Sequence, residues 1–368
     1  MVDMIKKYEA MFILHSLADT IGFRNGISDL KRKTVITLDI INEFLYRFIA
    51  LGGINGLDIS KWKTSDATLY HMSMGRAMLK YKKNLSKGFI LSTKNEIIKS
   101  NNIMADEIDN KEYNRYPGAV TSKSISKFTE TTDASHMPYD EHSGGNSCAV
   151  RMLCVGACLH GKKNRDDLID VAIRLGKMTH NSPVGFLGGL NTALFVAFSI
   201  EGMDINKWPV ELLNILKSSR VKSSIDGDSI NQLGDFLAYV KNWQLYVDAR
   251  FKKGKPIEIK SQENLILRMK FYHENFVKYT PSSRIGESGY TACIMAYDSL
   301  LDCNAKWEKL VVYSTMHPGD SNAVGAIAGG LFGIHYGYSD VPDILLNNME
   351  FSKELKSLSK KIYDKYNS

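Results

Sequence analysis

Apolar residues recur every three or four positions along almost the whole chain, and this pattern restricts the fold more than any other feature of the 368 residues. In Met4–Ala18 they fall at Met4, Tyr8, Met11, Phe12, Leu14 and Leu17, one face of a 3.6-residue helix. The same stripe returns in Val35–Ala50, Thr68–Tyr81, Ala149–Leu159, Leu168–Met178 and Gly185–Ile200, and again in Phe236–Phe251, Leu265–Phe276, Cys293–Leu301 and Gly325–Tyr338. Sustained period-two alternation, which strands would need, does not occur, and only eight prolines break the pattern. An all-α fold follows. No repeat of 20–50 residues is found. The polar, basic stretch Phe251–Glu263 reads as a surface loop between like-patterned halves, so residues 1–368 are expected to form a single domain.

Some of these helices are unusually rich in small residues. Gly325, Ala326, Ala328, Gly329, Gly330 and Gly333 share one stripe, and Gly185, Gly188 and Gly189 another. A glycine inside a helix costs about 1 kcal/mol relative to alanine. Close helix–helix contact would offset that cost, and so would backbone approach to a ligand; packing is the favoured reading.

Composition narrows the function. No run of eighteen or more apolar residues occurs, so no membrane span is expected, and the charged residues of Met1–Ala18 exclude a secretory signal. Cys148, Cys154, Cys158, Cys293 and Cys303 lack disulfide-framework or zinc spacing and read as buried thiols, which fits a reducing, cytoplasmic setting. The net charge of +7 includes lysine clusters at Lys80–Lys83 and Lys252–Lys260. Neither alternates with aromatic residues, so no nucleic-acid partner is expected.

Two acidic segments about 250 residues apart concentrate the chemistry, Ser65-Asp66-Ala67-Thr68 and Gly319-Asp320-Ser321-Asn322-Ala323. Each precedes a helical stripe, where Ser and Asp serve equally well as N-caps for the first-turn amides. Between them lie His142-Ser143-Gly144-Gly145-Asn146-Ser147, a glycine-rich turn before a helix, and Lys177-Met178-Thr179-His180-Asn181-Ser182-Pro183-Val184-Gly185.

Together these segments resemble the ADP-ribosylglycohydrolase family, closest to the ADP-ribosylarginine hydrolases and their inactive-looking paralogues. The first acidic segment is similar to the family's S/T-D-D-T motif and the second to its G-D-x-D-S/T motif. Lys177–Gly188 resembles its K/R-M-T-H-x-x-P-x-G-x-L-G segment. Ala18-Asp19-Thr20-Ile21-Gly22 and Met295-Ala296-Tyr297-Asp298 match in order and spacing. The resemblance implies a compact orthogonal multi-helix bundle, a monomer, and ADP-ribose or an ADP-ribosylated protein as partner. It implies metal ligation by Ser65, Asp66, Asp320 and Asn322, with Asp66 also in the catalytic role. It further implies that Gly144, Gly145, Asn146, Ser147 and His180 contact the ligand, aided by the N-terminus of a helix Cys148–His160.

The chain also departs from the pattern. Ala67 stands at the motif's second aspartate, Asn322 at the corresponding aspartate of the other motif, and Ala323 at its hydroxyl. Tyr290-Thr291 replaces a common His-Asp. Two magnesium ions need several anionic oxygens around them, and only Asp66 and Asp320 remain. At most one weakly held Mg²⁺ is therefore expected. The sequence favours an ADP-ribose binder with weak or no turnover. The alternatives are an active Mg²⁺-dependent hydrolase of ADP-ribosyl-arginine or a similar linkage, and a non-catalytic scaffold.

Overall fold

A computed structural model describes residues 3–26, 38–109, 115–128, 137–225, 230–257, 264–276, 284–347 and 349–367. The first half contains α1 (Met4–Gly26), α2 (Leu38–Ala50), α3 (Gly53–Gly56), α4 (Asp66–Met78), α5 (Lys87–Asp109), α6 (Ala119–Phe128), α7 (Ser147–Arg151), α8 (Leu153–Cys158), α9 (Arg165–Lys177) and α10 (Pro183–Ile200). The second contains α11 (Trp208–Leu216), α12 (Ser219–Lys222), α13 (Ile230–Arg250), α14 (Leu265–Asn275), α15 (Gly289–Asp302), α16 (Trp307–Thr315), α17 (Ser321–Tyr336), α18 (Asp343–Asn347) and α19 (Ser352–Asn367). The fold is all-α, as the periodicity requires.

The centre is a pair of helices from opposite ends of the chain. From Ala10 to Gly22, α1 is buried on every side, and α17 runs antiparallel against it. The α17 glycines make this possible. A Cβ on Gly329 would lie 2.2 Å from the Leu14 carbonyl oxygen, one on Gly333 2.4 Å from the Ala10 backbone, and one on Gly325 2.8 Å from the Ala18 carbonyl oxygen. Backbone meets backbone, and any larger residue would force the helices apart. A Cβ on Gly188 would likewise lie 2.8 Å from the Gly289 carbonyl oxygen, and one on Gly189 2.5 Å from Cys148 Sγ. Packing explains these glycines.

Around the pair, α10 forms a second buried axis. It is long and apolar enough to cross a bilayer, contrary to the expectation from strict apolar runs, because its small and polar residues barely lower its mean hydropathy. Yet 89% of that stretch is enclosed by protein, which is how a core helix satisfies the same composition. The stripe Ala149–Leu159 is two short helices that break at Met152, not one. Phe251–Glu263 is not wholly loop: Phe251–Lys252 pairs antiparallel with Lys255–Pro256 around Lys253-Gly254, both left-handed, and residues 258–263 lie outside the described set. All five cysteines are buried and free.

Two polar clusters sit inside the core. Asp298 of α15 accepts from Tyr246, Arg250 and Tyr272 and pairs with Arg268, while Asp302 pairs with both arginines. Burial opposes its charge, but Arg268 and Arg250 hold the Asp298 carboxyl below the usual range. The Met-Ala-Tyr-Asp match is thus a junction of α13, α14 and α15. Between α4 and α1, His71 stacks on His15 with ring centroids 4.1 Å apart and touches Cys154 Sγ at 3.6 Å.

Burial lowers His15 to about 4 and holds His71 well below its ordinary 6.5, the latter also by its proximity to His15. The folded protein therefore favours both neutral rings, while the unfolded chain takes up protons near 6.5. The stabilisation is complete above that pH and is lost as pH falls toward 4. Urea denaturation between pH 7 and 4.5 should show a decline of about 2–3 kcal/mol from His15, with His71 adding to it in the same direction, and His71→Met should reduce the decline. A slope unaltered by that substitution would place the acid sensitivity elsewhere.

Candidate functional site

Because α1 and α17 touch at the backbone, the N-terminus of α17 is held against the C-terminal part of α1. A Cβ on Gly22 would lie 2.4 Å from the Ser321 carbonyl oxygen, and Ser321 Oγ donates to the Gly22 carbonyl at 2.9 Å. The N-terminus of α4 is fastened to the same place by Asp19. Its buried carboxylate accepts from Ser65 N (3.0 Å), Ser65 Oγ (2.5 Å), Thr68 N (3.2 Å) and Thr68 Oγ1 (2.7 Å). Burial pushes Asp19 up to about 6 despite those four donors.

The two acidic segments therefore meet. Asn322 Nδ2 donates to Ser65 Oγ at 3.1 Å, so residues 257 apart in sequence are in contact. Ser65 also caps α4, its Oγ accepting from Ala67 N at 3.1 Å. Asp320 occupies the N-cap position of α17 but makes no capping bond with its side chain. The N-cap reading thus holds for Ser65 alone. Asp66 accepts from Gly118 N at 3.1 Å, which brings the turn before α6 to the site.

A cleft of about 350 Å³ opens beside this junction. Its wall includes Gly118, Thr121, His142, Gly144–Ser147, His180, Glu287 and Asp320. All five residues assigned to ligand contact from sequence lie on it, together with one of the two aspartates. Asn146 is the stitch: its amide nitrogen donates to Glu287 O (3.0 Å), and Nδ2 donates to Gly286 O (2.6 Å) and Asp320 Oδ2 (2.8 Å). Arg151 Nη2 donates to Thr179 Oγ1 at 2.5 Å, and that hydroxyl lies 2.8 Å from His180 Nδ1. Burial, with the Arg151 charge adding, keeps His180 well below its ordinary range, so its imidazole is neutral. Helix α7 has only five residues and stops at Arg151, so it supplies little of the dipole that a continuous Cys148–His160 helix would. Thr291, at the position of the common His-Asp aspartate, closes a capping box with Ser288 at the start of α15.

Sequence reasoning gave no role to Asp19, Thr121 or Glu287. Asp19 stood in a matched segment but carried no separate signal. Glu287 is reached only through the left-handed turn at Gly286. It pairs with Arg284, and burial with nearby Asp320 raises its carboxyl above the usual range despite that pairing. The cleft thus has backbone amides and a neutral imidazole on one side and the carboxylates Asp320 and Glu287 on the other. Among the described residues, no three of His, Cys, Asp or Glu are grouped to hold a metal ion.

Asp19→Ala would strand four donors at the junction. We expect a loss of about 3 kcal/mol in urea denaturation at pH 7, and a smaller loss for Asp19→Asn, which keeps one acceptor oxygen. Losses below about 1 kcal/mol for both would show that the clamp does not hold α4 in place.

Comparison with known proteins places this arrangement. The ADP-ribosylglycohydrolase profile matches residues 3–368. A protein of Acanthamoeba polyphaga mimivirus, named as ADP-ribosyl glycohydrolase L444, is 32% identical over 355 residues, which cover 93% of this chain and 67% of that protein. ADP-ribosylhydrolase ARH1 of Dictyostelium discoideum is 26% identical over 374 residues, covering 95% and 92%. A solved structure described as an ADP-ribosylglycohydrolase-related protein complex shares the fold, with a TM-score of 0.59 at 14% identity over 99% of both chains. The helical bundle, the two acidic segments brought together at its centre and the match along nearly the full chain make this protein a member of the ADP-ribosylglycohydrolase family.

Proposed function

We propose that the chain binds ADP-ribose, free or attached to a protein, in the cleft beside Asp320, and turns it over weakly or not at all. The observation that carries this reading is the composition of the cleft wall. Gly144, Gly145, Asn146 and Ser147 form one edge, and Gly145 lies against His180, where an added Cβ would stand 3.5 Å from Nε2. Loop amides and the Ser147 hydroxyl suit a diphosphate. The neutral His180, aligned through Thr179 and Arg151, suits a ribose hydroxyl.

The donor set does not fit a pair of divalent cations. Asp66 and Asp320 are the only carboxylates the two motifs bring, and each already accepts a hydrogen bond, from Gly118 N and from Asn146 Nδ2. Ser65 Oγ donates to Asp19 and accepts from Ala67 N and Asn322 Nδ2, leaving no lone pair for a cation. Asn322 presents nitrogen, not oxygen, toward that hydroxyl. Ala67 offers no ligand. Two doubly charged ions against two carboxylates would repel without compensation. At most one Mg²⁺, weakly held, is compatible with the acidic pair.

Calorimetry with ADP-ribose should give heat of binding with or without Mg²⁺, and Gly145→Val should weaken binding about tenfold by filling the loop edge. No heat in either condition would leave the scaffold reading. Release of ADP-ribose from an arginine-modified protein should not reach multiple turnovers; if it does, the chain is an active hydrolase. Ala67→Asp with Asn322→Asp should tighten Mg²⁺ binding, by returning charge to both sides of the junction. An unchanged Mg²⁺ affinity would argue that the acidic pair is not the cation site.

A further inference from the structure

The positive charge of this protein is not spread over its surface. Residues 79–87 carry Lys80, Lys82, Lys83 and Lys87 with no acid, and α19 carries five lysines against Glu354 and Asp364. Their surplus equals the net +7 of the whole chain, so the remaining sequence balances to zero. All nine lysines are exposed.

The fold joins these two segments into one face. Lys365 Nζ donates to the carbonyls of Met78, Leu79 and Tyr81 at 3.3, 2.9 and 2.7 Å, closing the C-terminal end of α4. Tyr366 OH adds a bond to the Met78 carbonyl at 2.6 Å. Glu96 of α5 takes up Lys80 and Arg76, at 2.8 and 3.0 Å. Among the described residues, Lys82, Lys83, Lys353, Lys356, Lys360 and Lys361 form no ion pair. Beside them runs a groove of about 410 Å³ between α4 and α19, lined by the apolar Met72, Leu79 and Leu358, by the cations Arg76, Lys353 and Lys361, and by one carboxylate, Glu354, which the three cations outnumber.

We propose that this groove docks an acidic protein segment, with an apolar side chain seated on Met72, Leu79 and Leu358 and flanking carboxylates held by Lys353, Lys361 and the neighbouring lysines. Like charge gathered on one face attracts a polyanion, and the apolar floor selects among polyanions. Single-stranded nucleic acid would draw on exposed aromatic rings for base stacking. Tyr81 is buried, and Tyr363 and Tyr366 are half-buried. A lipid surface would need apolar residues standing out between the lysines. Among the described residues of 79–87 and α19, no large hydrophobic side chain is exposed. An acidic peptide with one apolar anchor needs neither. The groove is separate from the ADP-ribose cleft, and neither reading requires the other. At about 1.5 Å per residue along α4, Met72 lies roughly 9 Å and Leu79 roughly 20 Å beyond Asp66.

The test is fluorescence anisotropy with a labelled synthetic peptide of glutamates around a central leucine, at physiological salt. Lys353→Glu/Lys361→Glu should weaken binding about tenfold, whereas Lys207→Glu/Lys217→Glu, the same change in net charge on another face, should leave it within about twofold. Replacing the central leucine with serine should also weaken it. Circular dichroism checks that both double variants keep the helical fold; if the first unfolds, Lys356→Ala/Lys360→Ala gives the same comparison without charge reversal. No binding, or equal weakening by both double variants, would overturn the proposal. So would tighter binding of an oligonucleotide or of phosphatidylserine vesicles that the first double variant abolishes.

Discussion

The contact between α1 and α17 sets the geometry of everything else. Helices usually meet through side chains, and the gap between their axes absorbs small errors of packing. Here glycines at 325, 329 and 333 bring one backbone onto another at Ala18, Leu14 and Ala10, so the register is fixed by atoms that have no rotamers. That rigidity is carried to the N-terminus of α17. Gly22 meets Ser321 on the same seam, and Asp19, three residues earlier, reaches across to hold Ser65 and Thr68. The two acidic segments are close because a helix pair built from both ends of the chain leaves them no other place.

Asp19 gives that junction its electrostatic character. A carboxylate buried beneath the site, accepting four hydrogen bonds, saturates the hydroxyl of Ser65 from below while Asn322 saturates it from above. A polar network closed on itself is well ordered. Asn146 behaves in the same way on the other wall, since it spends its amide group on Gly286 and Asp320. The residues that line the cleft, among them Ser147, His180 and Asp320, are thus held by partners just behind them.

Much of this was legible in the chain. The 3.6-residue stripes mark α1, α4, α9, α10, α15 and α17 because those helices bury wide faces, and the dispersed motifs led to Asp66, Asp320, the 144–147 loop and His180. Other parts carried no such signal. Helices α5 and α19 are rich in lysine and polar residues, and their short apolar lines, such as Leu355, Leu358 and Ile362, are masked by charge. The break at Met152 follows Arg151 in a stretch that no proline marks as an end. Glu287 and Gly118 reach the cleft through turns whose course depends on distant partners, Asn146 and Asp66. Periodicity reports which face is buried, not where a backbone amide points.

The order of the helices has a cost during synthesis. Helix α10 leaves the ribosome well before α13, α15 and α17, which cover much of it, and the α1–α17 seam cannot close until more than 300 residues exist. Contacts so distant in sequence form late. For that interval the nascent chain displays an eighteen-residue apolar helix with the composition of a bilayer span. It is an attractive substrate for chaperones, and a hazard for aggregation or mistargeting until the last third of the protein arrives.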